Sequence, residues 1–88
     1  MNEQIIHGNV MADRQSAHEE LARALGFPAW YGRNLDALWD MLTTIDVFAV
    51  LAEKDAMLEQ LGDYGRNLLD TLLEAAEENP RFRFRIAD

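Results

Sequence analysis

Apolar positions recur along this chain at two different periods, and the switches between them mark its elements. Glu3 to His7 holds the pair Ile5-Ile6 and stops at Gly8, the pattern of a short first strand. Ala17, Leu21, Ala24 and Leu25 then fall at helical intervals, and Gly26 closes the run ahead of Pro28. Asp13 or Ser16 can cap this helix, and Ser16 with Glu19 has capping-box spacing. A second helix opens at Asn34, with Leu35, Leu38, Trp39 and Leu42 as its apolar stripe. Val47 to Leu51 is a compact apolar run that suits a buried strand. Lys54 to Leu61 forms a short helix ended by Gly62. Tyr64 to Glu78 forms a longer one, with Leu68, Leu69, Leu72, Leu73 and Ala76 facing inward, and Asn79-Pro80 stops it.

The tail, from Arg81 to Ile86, alternates with period two. Phe82, Phe84 and Ile86 share one face and three arginines share the other, as on a half-buried edge strand. In this position the arginines serve to protect a sheet edge and to pair with nearby carboxylates. Strands separated by helices imply parallel pairing through right-handed crossovers, hence a small α/β domain.

Length changes that picture little: the 88 residues suit one domain, 1–88, with a single core. There is no cysteine, so neither a disulfide framework nor a thiolate metal site is expected. No apolar run approaches the roughly 20 residues needed to span a bilayer, and the first residues lack the pattern of a secretion signal. A cytoplasmic location, with no membrane contact, is the expectation. Charge changes the picture more. Sixteen carboxylates against eight cationic residues give a net charge of −8 and a pI near 4.5. Such a surface repels phosphate, which argues against direct nucleic-acid binding, and attracts a basic partner.

The unusual chemistry lies between Trp30 and Asp40. Trp30, Tyr31 and Gly32 precede a helix start, where loop side chains tend to be accessible. Asp36 and Asp40 are four residues apart and project from one helix face. Asp36 suits the first turn, where the helix dipole favours a negative charge. Asp40 is a poor mid-helix residue that also repels Asp36, so local stability does not explain it. Several readings remain open from residues alone. Both aspartates can be solvated while both tryptophans fill the core. An acid/base pair fits the residue types, although a helix surface offers no walls around a substrate. A metal needs more ligands than two carboxylates, and neither His7 nor His18 is spaced to complete a site; both read as structural. The last reading is a protein-binding face of fixed anions beside aromatic anchors.

The run Trp30-Tyr31-Gly32-x-Asn34-Leu35-Asp36-Ala37-Leu38-Trp39-Asp40-x-Leu42-Thr43 resembles the barstar family, intracellular inhibitors of barnase-type ribonucleases. Ile6-x-Gly8, Leu25-x-x-Pro28 and Glu74-Ala75 fall in register with the same family, so the match of elements covers nearly the whole chain. The resemblance implies a three-stranded parallel sheet packed with about four helices. It implies no catalysis, no cofactor and no metal, but a 1:1 complex with a basic extracellular ribonuclease or a related toxin nuclease. By the same resemblance Asp40 takes the place of a substrate phosphate and Asp36 is a second anion. Trp30 stacks on the enzyme surface, and Tyr31 and Gly32 belong to the same partner-facing loop. Asn34, Trp39 and Thr43 complete the contact, and Glu74 supplies an outlying carboxylate. After Thr43 the chain has Thr44-Ile45, where barstar itself has glycine and a third interface tryptophan. An aromatic anchor and a flexible backbone contact are thereby removed, which leaves the target open between a barnase-type enzyme, a different nuclease and a toxin domain of another kind. The alternative is an interaction module of the same fold with a non-nuclease partner.

Overall fold

The computed structural model describes residues 3–87. Along the chain come β1 (Glu3–His7), a 3-10 turn (Gly8–Val10), α1 (Arg14–Leu25), α2 (Leu35–Leu42), β2 (Val47–Ala52), α3 (Lys54–Leu61), α4 (Asp63–Glu78) and β3 (Phe82–Ile86). The three strands form one sheet with β2 in the centre, and both pairings are parallel. This is the α/β architecture that the alternation of strands and helices implied.

Register decides which side chains meet the helices. Ile6 pairs with Leu51 and Leu51 with Ile86, while Ala49 lies between Gln4 and Phe84. Ile6, Ala49, Leu51 and Phe82 join one core with residues from every helix: Leu21 of α1, Leu38 and Leu42 of α2, Met57 of α3, and Leu68 and Leu72 of α4. All four helices therefore cover the same face of the sheet. The alternate residues Ile5, Phe48, Val50, Arg83 and Arg85 point the other way. A parallel sheet is normally covered on both sides. Here long side chains do the covering: Arg85 reaches across the central strand to Glu3 at 3.4 Å, and Arg83 lies over the Phe48 ring. Val50, beneath them on the central strand, is only 2% exposed.

The free edge of β1 is closed by α1 instead of by a fourth strand. The buried Glu20 carboxylate accepts from the His7 backbone N–H at 2.8 Å, and Arg23 donates to the Ile5 carbonyl at 3.2 Å. Arg23 also holds Glu20 through two nitrogens, at 2.8 and 2.6 Å, which keeps the Glu20 carboxyl below its ordinary pKa. Gly8 sits where β1 leaves the sheet, and a Cβ there would run into the carbonyl oxygens of Ala52 and Glu53.

The structure decides between the two caps that the sequence offered for α1, and it narrows the apolar stripe of α4. Asp13, not Ser16, is the N-cap of α1: its Oδ1 accepts from Ser16 N–H while Ser16 Oγ accepts from Asp13 N–H. Both spacings exist in the sequence, and the helix uses the one that starts it at Arg14. In α4 the inward residues are Leu68, Leu72 and Ala75, whereas Leu73 is exposed and Leu69 and Ala76 are half-buried. The stripe is thus narrower than the run of leucines suggests. Among the described residues no helix is long and apolar enough to cross a membrane.

Candidate functional site

Eight residues make a helix that is marginal by itself, so α2 owes its existence to its ends and its packing. Asn34 caps it, its Oδ1 accepting from Ala37 N–H at 2.7 Å, a contact of about 1 kcal/mol. Leu38 and Leu42 are fully buried, and each side chain contributes about 1.5–3 kcal/mol. With that face fixed inward, the 3.6-residue period dictates the rest. Asp36 and Asp40 fall on the opposite ridge, where both are exposed, with half-buried Thr43 continuing the line. Half-buried Trp39 flanks the ridge on one side; Ala37, Met41 and Thr44 flank it on the other. Neither aspartate forms an ion pair among the described residues, so both carboxylates are presented to solvent.

The loop 27–34 sets an aromatic beside them. Trp30 is 78% exposed, the extreme among the large apolar side chains, while Tyr31 is only 4% exposed. The expectation of accessible loop side chains therefore holds for Trp30 and fails for Tyr31. Tyr31 turns inward because its ring packs on Phe27 at 4.7 Å and its hydroxyl meets His18 Nδ1 at 2.7 Å. Gly32 follows, with its carbonyl accepting from Asn34 Nδ2 at 3.3 Å. Arg33 has a left-handed backbone, φ 54°, uncommon for a residue with a side chain. Trp30, Tyr31, Gly32, Ala37, Asp40, Met41 and Thr44 enclose a shallow pocket of about 260 Å³. Loop and helix ridge thus meet at Asp40.

The remaining candidates stand around this centre. Thr43 is the C-cap of α2, and its hydroxyl donates to the Trp39 carbonyl at 2.8 Å. Ile45 packs against the core instead of standing out as an anchor. Glu74 is exposed on α4, the helix packed beside α2. Buried Asn79 joins the ends of the two helices by donating to Leu42 O at 2.9 Å and Ile45 O at 2.8 Å.

His18 is fully buried, with its two ring nitrogens 2.7 Å from the Tyr31 hydroxyl and 2.6 Å from the Tyr64 hydroxyl. Burial, and secondarily the charge of Arg33, hold its pKa below that of a free histidine. Burial likewise raises both phenols. Sequence reasoning read His18 as structural but did not connect it to the loop. The available signal was its place on the Ala17-Leu21 side of α1, which requires a buried partner for each nitrogen.

The arrangement can present two anions on the helix ridge and one aromatic ring on the loop beside it. It offers no enclosed chamber for a small substrate. Known proteins carry the same sequence pattern. The chain matches the family Barstar (barnase inhibitor) over residues 1–87. It is also 40% identical over 81 residues to the Bacillus subtilis (strain 168) protein named "Putative ribonuclease inhibitor YrdF", an alignment covering 89% of each chain. With a matching sequence over nearly its whole length and the α/β fold expected from it, the chain belongs to the Barstar family.

Proposed function

We propose that this chain is a non-catalytic inhibitor of a basic, barnase-type ribonuclease, and that it blocks the active site with the carboxylates of Asp36 and Asp40. One observation carries this reading: two carboxylates, unpaired among the described residues, lie along the exposed ridge of a helix whose other face is buried, beside a tryptophan that is 78% exposed. A site that cleaves RNA is built from cations that bind phosphate. A rigid pair of carboxylates competes for those cations without offering a bond to cleave. Asp40, where the loop pocket and the ridge meet, takes the central cation, and Asp36 extends the anion along the groove. Trp30 supplies apolar contact area at the side, as aromatic anchors do in interface hot spots. Tyr31, Gly32 and Asn34 shape the loop, Trp39 and Thr43 border the ridge, and Glu74 is an outlying charge. The net charge of −8 brings the basic partner in. The complex is one-to-one and forms inside the cell, where it guards against an enzyme destined for export.

Capture on the immobilised chain from the source cell's lysate and secreted fraction tests this. The captured protein should cleave RNA, and added chain should stop the cleavage at one equivalent. A captured partner with no ribonuclease activity, or one that cleaves unaffected by the chain, would overturn the reading in favour of a non-nuclease interaction module.

A further inference from the structure

Residues 27–34 form no helix or strand, and Tyr31 is the one residue among them that is buried. Its phenol is tied to His18, and His18 is tied to Tyr64 at the start of α4. A single imidazole on α1 thus bridges the loop and α4. We propose that His18 is the positioning residue of the Trp30–Gly32 loop: its neutral ring holds Tyr31 in the core, and protonation of that ring releases the loop. The consequence for partner binding rests on the function proposed above; the tether itself does not.

The chemistry of the ring favours this. A neutral imidazole has one donor and one acceptor, so one phenol donates to it and the other accepts from it, in either tautomer. The cation must donate to both phenols and carry its charge at 0% exposure. Among the described residues, the groups facing it offer no counter-charge. They are the phenol of Tyr31 and the guanidinium of Arg33 from the loop, and the phenol of Tyr64 from α4. From α1 itself, Arg14 lies over the Tyr64 ring at 4.4 Å. Two of these are cations and none is a carboxylate. Unfolding the whole core is not needed to relieve such a charge. Lifting Tyr31 is enough, because the rest of the loop is half-buried or exposed. In the released form His18 regains an ordinary affinity for protons. Below about pH 6.5 the ratio of ordered to released loop therefore falls, by up to about tenfold per pH unit.

The test uses the free chain, so its failure and the failure of the ribonuclease reading remain separate. Backbone ¹⁵N order parameters of Trp30, Gly32 and Arg33 are measured from pH 7.5 to pH 5 alongside the His18 ring resonances, with the α1 amides as reference. The parent loop should lose order as the His18 ring titrates, while α1 stays rigid. His18→Gln, which donates and accepts without titrating, should keep the loop equally ordered across the range. Tyr31→Phe, which preserves ring packing and removes the phenol, should show a mobile loop at every pH within an intact fold, and it serves if the glutamine variant does not fold. Three results would overturn the proposal. One is a His18 ring that titrates, or stays neutral down to acid unfolding, while the loop remains ordered. The second is pH-dependent loosening that persists in His18→Gln. The third is a Tyr31→Phe loop as rigid as the parent's.

Discussion

Replacing Asp40 by alanine should leave the free chain at least as stable as the parent, because the aspartate does nothing for its own helix. Alanine at this position, in the last turn of α2, gains at most about 0.5 kcal/mol of propensity. Removing the repulsion with Asp36 adds about 0.2–0.5 kcal/mol. No ion pair to Asp40 offsets these gains among the described residues. Urea melts check this; a loss of about 2 kcal/mol or more would make Asp40 a structural residue and remove its physical claim to a binding role. Asn79 is the opposite kind of residue. Its side chain satisfies Leu42 O, Ile45 O and, through Oδ1, the Arg81 N–H. Asn79→Ala leaves those backbone groups without a partner and should cost about 2–3 kcal/mol in the same melts; a change within about 0.5 kcal/mol would show that water replaces it. Asp40 was legible from sequence because it breaks a helix rule in view. Asn79 was legible only as a helix stop, since two of its three partners lie more than thirty positions earlier in the chain.

At the scale of elements, helix and strand periodicity read the architecture well, and the irregular segments escaped it. The first strand and the third helix begin and end where their patterns do, and β2 runs one residue further, to Ala52. The 3-10 turn at Gly8–Val10 has no period to recognise. The burial of Tyr31 in an irregular loop was likewise invisible, because its partner sits 13 residues away on another helix. Edge closure of β1 by Glu20 and Arg23 was also missed, although their i, i+3 spacing was visible as a pair. The elements rank the proposed contact residues. Asp40 lies at the junction of loop and α2, whereas Glu74 lies on α4 at the periphery. Against the captured nuclease, Asp40→Ala should cost about 2–5 kcal/mol, since it leaves desolvated cations unpaired. Glu74→Ala should cost about 1 kcal/mol, as a screened rim charge does. Equal losses in titration calorimetry would show that α2 is not central.

For the whole molecule, charge and protonation set the conditions of work. A net charge of −8 should make association with a basic partner slow markedly between low and physiological salt, with dissociation changing less. Stopped-flow rates that stay flat over that range would remove steering from the account. Acid should weaken the fold through groups that include His18 and Glu20. His18 has a lowered folded pKa, so its neutral form supports the fold fully above about pH 6.5 and that support fades as pH falls below it. Glu20 also has a lowered folded pKa, so its support is present above the ordinary carboxylate range and is lost as pH falls through the folded value. The stability difference between the parent and His18→Gln should therefore shrink with acid below pH 6.5, by at most about 1.4 kcal/mol per unit. A difference independent of pH would contradict that coupling. The central claim is that the α2 carboxylates block a ribonuclease, and one measurement bears on it most directly: RNA cleavage by the captured nuclease, titrated with the parent chain and with Asp40→Ala. The parent should abolish cleavage at one equivalent, and the variant, still folded, should need at least about 30-fold more, the equivalent of 2 kcal/mol. Overlapping titration curves would contradict it.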